Sequence, residues 1–246
     1  MTCPVRIVLV ETSHPGNIGA VARAMKNMAF DDLWLVRPRQ FPDAEASARA
    51  SGATDVLDAA HVVDDLQAAI AGCGFVAATT SRPRNHNWSV LTPRDLAGQV
   101  AALAPATRAA LLFGSERFGL ENDVLERCQA LVKIPVNPLY ESLNLAMAVQ
   151  VLCYEIFVAS ARPASVSQQE TPLATADELE RFYLHLSEVM TEVDFHDRTG
   201  GGHLMTRIRR IFNRSALDQN EMNILRGILT AVQGRRRTAG ASKRIN

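Results

Sequence analysis

The sequence predicts an α/β fold: a mostly parallel sheet carrying helices on both faces, followed by a small helical C-terminal domain. Two observations predict the sheet. From residue 5 to 160, short β-rich runs alternate with segments of helical period, the pattern of strands joined by crossover helices. The strand runs are themselves rich in β-forming residues. A third observation predicts the second part: beyond residue 176 the pattern is helical throughout.

The elements follow in order. "VRIVLV" (5–10) is a strand. "IGAVARAMKNM" (18–28) is a helix with Ile18, Val21, Ala22, Met25, Met28 and Ala29 on one face. "DLWLVRP" (32–38) is the second strand, "EASARASGA" (45–53) a short helix, and "DVLDAAHVV" leads into another strand. "DLQAAIAG" (65–72) is a helix ended by Gly72. "FVAATTS" (75–81) is a strand, and 92–104 a helix announced by Thr92 before Pro93. "AALLFG" (109–114), "ENDVLERC" (121–128) and "ALVKIPV" (130–136) read as strand, helix and strand. Residues 142–160 form the longest helix of this half. "RPASVSQQETPLATA" (162–176) reads as a linker. Helices at 177–193, 204–215 and 218–237 follow, with a Gly-rich break at 199–203. The domains are therefore expected at 1–161 and 177–246.

Composition bounds the class. The chain has 246 residues, 47% hydrophobic and 21% charged, ordinary for a globular protein with a sizeable core. No apolar run reaches the length of a membrane span, and the first residues lack a signal-peptide pattern. A cytoplasmic protein is expected. Four scattered cysteines without a CxxC pair argue for free thiols and against zinc. Asp194, His196, Asp197 and His203 can be drawn as a metal cluster, but their spacing matches no ligand pattern, and no metal is expected. Net charge is zero but uneven. Residues 165–197 hold 1 basic and 8 acidic side chains, and residues 198–246 hold 11 basic and 2 acidic. Such asymmetry points either to contact with a polyanion or to a solvated helix surface with a basic tail.

In open α/β sheets, ligands bind beyond the carboxyl ends of the strands. Three such ends carry motifs. In "VETSHPGNIGAVARAM" (10–25), Gly16, Asn17 and Gly19 place backbone N–H groups at a helix start, where an anion is favoured. The stretch fits neither GxGxxG nor GxxxxGK[ST]. Helical side chains lean toward the N-terminus, so Arg23 is expected to lean over Gly19 and Ala20 toward the loop mouth; a surface ion pair is the plainer use of it. "LLFGSERFGLEN" (111–122) holds two glycines, Gly114 and Gly119, that let backbone approach a ligand, or it is an ordinary loop. In "IPVNPLYESLNLAMAVQ" (134–150), Ser142 and Asn144 start a helix apolar nearly all round. Such a helix is buried on every side, here under the sheet and against a second subunit. Ser142 also reads as the N-cap.

These three motifs, in this order, resemble the three signature motifs of the SPOUT (SpoU/TrmH-type) RNA ribose 2'-O-methyltransferases. The likeness covers about residues 5–160. With "ASGATDVL" and "NEMNILRGIL", the chain is most similar to bacterial members that methylate the ribose of cytidine or uridine at position 32 of the tRNA anticodon loop. The resemblance implies a sheet domain with a deep trefoil knot, an exception to the usual absence of knots. It implies S-adenosyl-L-methionine as cofactor, leaving as S-adenosyl-L-homocysteine, held by Thr79, Thr80, Ser81, Gly114, Ile134, Glu141, Ser142 and Leu143. It implies Arg23 as the catalytic arginine, with Asn17, Glu116, Ser142 and Asn144 around it. It also implies a homodimer in which one subunit's Arg23 serves the other's cofactor. Arg82, Arg84 and Trp88 are candidates for RNA contact, since arginine grips phosphate and Trp stacks on unpaired bases; Trp88 also reads as a core aromatic. Arg207, Arg209, Arg210, Arg214, Arg226 and Arg235–Arg237 are candidates for gripping the tRNA body. An rRNA ribose methyltransferase of the same superfamily, a non-catalytic RNA-binding module and an unrelated phosphate-ester enzyme remain as alternatives. The last lacks a nucleophile motif and a metal-binding carboxylate set.

Overall fold

The computed structural model describes residues 5–80, 90–160, 171–195 and 203–242, with side chains to 234 in the last stretch. Arg82, Arg84, Trp88 and Ser81 lie outside these residues, as do His196 and Asp197.

Seven strands make one sheet: β1 (Val5–Val10), β2 (Leu33–Val36), β3 (His61–Val63), β4 (Cys73–Thr79), β5 (Val90–Leu91), β6 (Arg108–Phe113) and β7 (Ala130–Val132). Their order is β3-β2-β1-β6-β4-β7-β5, and each pairing is parallel. Side chains alternate between the two faces, as the pleat requires. Val5, Ile7 and Leu9 of β1, with Ala109, Leu111 and Phe113 of β6, join one core cluster. Val8 and Val10, with Ala110 and Leu112, join the other. Both faces are thus covered, and the strands are mostly apolar for that reason, with the buried Arg6 of β1 paired to Asp32.

The first cluster lies under α1 (Pro15–Asn27), α2 (Ala44–Ala50), α3 (Thr54–Asp58), α5 (Pro93–Ala102) and α7 (Leu145–Ser160). The second lies under α4 (Leu66–Ile70) and α6 (Asn122–Leu125). The capping residues stand where helix chemistry puts them. Thr92 and Asp95 form a capping box at α5, while Asp43 and Asp65 cap α2 and α4 through their carboxylates. The segment expected as one helix over 45–53 ends at Ala50. Ser51 (φ 46°) and Gly52 (φ 90°) then turn the chain in the left-handed region before α3 starts.

Two expectations are corrected. The strand expected over 130–136 stops at Val132, because its neighbour β5 is two residues long and Pro135 cannot donate to a ladder. Residues 133–144 therefore become a loop over the end of the sheet. And the segment 162–176 is not a plain linker at its described end. Leu173 is buried, its amide donates to Thr107 Oγ1 at 3.2 Å, and it bridges to Asp218. Gly74 has no Cβ because one would stand 3.1 Å from Leu173.

The C-terminal unit is α8 (Ala176–Glu192), α9 (Leu204–Arg214) and α10 (Gln219–Ser242). Thr175 and Glu178 form the capping box of α8. Its core is small: Ala174, Leu179, Phe182, Tyr183, Val189, Met222 and Leu229. Polar bonds moor it to the sheet domain. Asn213 Nδ2 donates to the Glu126 carbonyl at 2.9 Å, and the Asp177 carboxylate accepts from Gln67 Nε2 and the Gly72 amide. Among the described residues, no helix is long and apolar enough to cross a membrane.

Candidate active site

The carboxyl ends of β1, β6, β4 and β7 open onto one cavity of about 490 Å³. Ligand pockets of this size are usual for small cofactors. All three sequence motifs meet there. Asn17, Thr79, Thr80, Gly114, Glu116, Ile134, Glu141, Ser142, Leu143 and Asn144 line it. They stand on five separate stretches of chain, joined by the sheet.

Glu116 is the centre of a fixed network. One carboxylate oxygen accepts from the Ser13 hydroxyl at 2.6 Å and the Ser13 amide at 3.0 Å. The other accepts from Asn17 Nδ2 at 2.7 Å and the His14 amide at 3.4 Å. Asn17 Oδ1 in turn accepts from Asn144 Nδ2 at 3.2 Å. Burial works against the Glu116 charge, and the bonds from Ser13 and Asn17 outweigh it, holding the carboxyl below the usual range. Glu116 is thus ionised at neutral pH with its lone pairs engaged. It holds its neighbours in place and has no free acceptor for a substrate proton.

The Glu116 carboxylate takes the amides of Ser13 and His14, just ahead of α1, while the Asn17 amide closes on the His14 carbonyl at 3.0 Å.

Asn144, not Ser142, is the cap of α7. Its Oδ1 accepts from the Ala146 amide at 2.9 Å and its carbonyl from the Ala148 amide. The helix begins at Leu145, which leaves Ser142 in the loop on the cavity wall.

Arg23 is exposed, is not on the wall of this chain's cavity, and makes no hydrogen bond or ion pair among the described residues. Six residues beyond Asn17, it lies about 9 Å further along α1 and about 120° around it. Gly19 does not make room for it. A Cβ on Gly19 would stand 2.0 Å from the Ala46 carbonyl oxygen, so the missing side chain lets α2 cross α1.

Gly114 and Gly119 serve the turn between them. A Cβ on Gly114 would stand 2.1 Å from the Gly119 carbonyl carbon, and Gly119 has φ 70°. The turn closes through a bond from the Gly119 amide to the Ser115 carbonyl at 2.9 Å.

Sequence reasoning missed Ser13, His14, Arg117, Phe118, Lys133 and Tyr140 on the cavity wall. Lys133 pairs with Glu141 at 3.3 Å. The aromatic between two glycines was a readable signal; the Ser13–Glu116 bond, 103 residues apart, was not.

The wall suits a nucleoside carrying a short polar chain. Leu120, Val132, Ile134, Leu143 and Leu145 give an apolar slot, and Thr80, Ser142, Glu141 and backbone groups at the strand ends give polar partners. Among the described residues no three of His, Cys, Asp and Glu are grouped to hold a metal. Cys73, Cys128 and Cys153 are buried and in no disulfide; burial pushes the Cys73 thiol up to about 11.

In the C-terminal unit, Arg207, Arg214 and Arg226 are exposed. Arg209 is engaged internally: it holds Glu180 through two bonds of 2.7 and 2.8 Å and lies 4.4 Å from the Tyr183 ring centre. Its position is accounted for without RNA. α7 buries Leu145, Val149, Leu152, Cys153 and Ile156 but leaves Met147, Tyr154 and Phe157 exposed in one chain.

The SpoU rRNA methylase family model matches residues 4–154. A second model, the C-terminal domain of the tRNA methyltransferase TrmJ, matches residues 177–243. The chain is 50% identical over 240 residues to the tRNA (cytidine/uridine/adenosine-2'-O-)-methyltransferase TrmJ of Pseudomonas aeruginosa, 93% of each chain being covered. It is 47% identical over 233 residues to the tRNA (cytidine/uridine-2'-O-)-methyltransferase TrmJ of Escherichia coli K12, covering 93% of this chain and 95% of that one. The crystal structure of TrmJ from Z. mobilis superposes with a TM-score of 0.80 at 33% identity, over 93% of this chain and 98% of that one. By sequence along both parts and by fold, the chain belongs to the SpoU methylase family, in its TrmJ branch.

Proposed function

We propose that the chain methylates a ribose 2'-hydroxyl of tRNA, taking the methyl group from S-adenosylmethionine, with the target at position 32 of the anticodon loop. The observation that carries this is the convergence of the three family motifs on one cavity, tied together by the Asn144–Asn17–Glu116–Ser13 chain of hydrogen bonds.

S-adenosylmethionine, when bound, supplies a methyl group on a cationic sulfonium, so the electrophile needs no metal. The wall residues Thr79, Thr80, Gly114, Ile134, Glu141, Ser142 and Leu143 would hold it, with Ser81 following on the chain. The protein's share of the chemistry is alignment and stabilisation of the emerging alkoxide. Alignment alone is worth up to roughly 7–11 kcal/mol in ideal geometry. A guanidinium stays protonated in proteins, so Arg23 acts as a clamp on the phosphate beside the target and as a charge for the alkoxide, and not as a free base. Glu116 keeps Asn17 and Asn144 in register.

A homodimer belongs to the same reading. Met147, Tyr154 and Phe157 are an exposed apolar face of α7, the helix that packs against α1, and a partner seated there would bring one Arg23 toward the other chain's cavity. The knot expected in the sheet domain is part of this proposal, as is the division of labour between 1–161 for chemistry and 177–246 for grip on tRNA.

The test is transfer of labelled methyl from the cofactor to an unmodified tRNA pool, with the modified nucleotide then mapped. A label on ribose 32 is the expected result. A label confined to rRNA fragments added in competition supports the rRNA reading instead, and cofactor binding with no transfer to any RNA refutes the enzyme. Because the Pseudomonas relative's name includes adenosine, tRNAs with A32 belong in the pool.

A further inference from the structure

The turn between Gly114 and Gly119 does something its glycines alone do not explain: it puts an aromatic ring into water. Phe118 is 65% exposed, although the turn that carries it is tightly built. The Phe118 amide donates to Ser115 Oγ at 3.3 Å, the Gly119 amide donates to the Ser115 carbonyl, and residues 115 and 119 form a bridge. A turn tied in this way fixes the direction in which residue 118 leaves the backbone, which lowers the ordering cost of covering its ring. Beside it, the Arg117 guanidinium lies 5.3 Å from the ring centre. Arg117 is exposed and has no hydrogen bond or ion pair among the described residues. Both residues stand on the wall of the cavity, one and two positions beyond Glu116.

An exposed phenylalanine alone means nothing. An exposed ring and a free guanidinium beside it, at the mouth of a cavity, are the two halves of single-stranded RNA recognition. An aromatic face takes an unpaired base, and a cation takes the phosphate attached to it.

We infer that Phe118 and Arg117 form a nucleotide clamp at the cavity mouth: the ring stacks on the unpaired base whose ribose is methylated, or on its immediate neighbour, and the guanidinium holds an adjoining phosphate. This rests on the function proposed above and adds to it the groups that seat the loop nucleotide. Stacking on a ring is indifferent to base identity, because every base has a π-face. The clamp therefore selects for an unpaired nucleotide and leaves discrimination among bases to other contacts.

The experiment measures binding of an unmodified anticodon stem-loop to the full-length protein by fluorescence anisotropy, with S-adenosylhomocysteine present, and in parallel the steady-state methylation of tRNA. Phe118→Ala is expected to weaken stem-loop binding and raise KM for tRNA by about tenfold, with cofactor affinity and oligomeric state unchanged. Phe118→Tyr and Phe118→Trp restore binding to within about twofold, since each keeps a π-face, whereas Phe118→Leu behaves like Ala. Arg117→Gln lowers the slope of log Kd against log salt by about 0.7, the value of one single-strand phosphate contact. Binding by Phe118→Leu equal to the parent protein would overturn the stacking role. So would loss of cofactor affinity in Phe118→Ala, which would make the ring part of the cofactor slot, or its dissociation to monomers, which would make it part of an interface. Wild-type protein that binds the stem-loop but transfers no methyl group sinks the function proposed above, while the Phe118 series still decides the clamp.

Discussion

The two ends of this chain use charge in opposite ways. At the cavity, the charged side chain is tied down: Glu116 receives four donors and is kept ionised by them. In the C-terminal unit, Arg207, Arg214 and Arg226 stand in water, while Arg209 is fixed by Glu180. Chemistry on one hydroxyl demands groups held to a fraction of an ångström before the substrate arrives. Holding a long polyanion does not; screened contacts between mobile cations and phosphates suffice, and their strength follows salt. The difference teaches which substitutions should change turnover and which should change affinity.

The largest effect tests the first half. Arg23→Ala should lower kcat by about 10²–10³-fold, the cost of losing one stabiliser of developing negative charge. Arg23→Lys should recover part of the charge term and little of the bidentate phosphate grip. Full activity in Arg23→Ala would remove the arginine from the mechanism. Next comes Glu116→Gln. A neutral amide offers an NH2 group to donors that already point at it, so either Ser13 or Asn17 loses its acceptor. Turnover should fall about 10–100-fold, at a cost of roughly 1–3 kcal/mol for the orphaned polar groups, with tRNA affinity nearly unchanged. A rise in KM for tRNA with kcat intact would erase the contrast drawn above.

How much of this was written locally in the chain varies by element. The sheet was legible because its strands are apolar runs with Gly, Pro or Asp at their ends, and helices of regular period lie between them. β3 and β5 were the hard cases, three and two residues long, too short to show a period. The cavity's membership was legible through the motifs, since each lies at a strand's carboxyl end. Its internal wiring was not. The carboxylate that ties down the segment ahead of α1 comes from 103 residues away. The missing Cβ of Gly19 answers to Ala46 on α2, and no spacing along α1 records that. The end of the linker was misread because Thr, Pro and Ala resemble a tether, while the anchoring comes from one residue, Leu173, meeting Thr107 and Gly74.

A smaller effect tests the second half. Arg207→Glu and Arg214→Glu together should weaken tRNA binding several-fold and flatten its salt dependence by about one to two units of slope, leaving kcat and cofactor affinity alone. These substitutions are better than deletion of residues 165–246, because such a deletion also strips Leu173 from the sheet domain. Arg209→Ala belongs to a different class. It breaks a two-bonded pair of mostly buried groups, with side-chain exposures of 21% and 28%, so it should destabilise the helical unit by about 1–3 kcal/mol. That loss would appear in thermal unfolding before it appears in tRNA affinity.

The smallest effect is shared by the two ends and separates them by a different route. Glu180 is held below the usual carboxylate range chiefly by its bond to Arg209, with burial opposing. Glu116 is held below it by bonds from Ser13 and Asn17 that outweigh its burial. A carboxylate with a depressed folded value stabilises the fold fully above its unfolded value, near pH 4.3. That contribution is lost as pH falls through the lower folded value, when the proton binds the native form as well. Stability should thus be level from pH 7 to about 5 and fall in acid, with Glu116→Gln and Arg209→Ala each flattening part of the fall. Thermal midpoints between pH 7 and 3 for the three proteins check it. If the Arg209→Ala midpoint shows the same acid dependence as the parent, Glu180 draws nothing from Arg209, and Arg209 would have to be counted with Arg207, Arg214 and Arg226 as a candidate for contact with RNA.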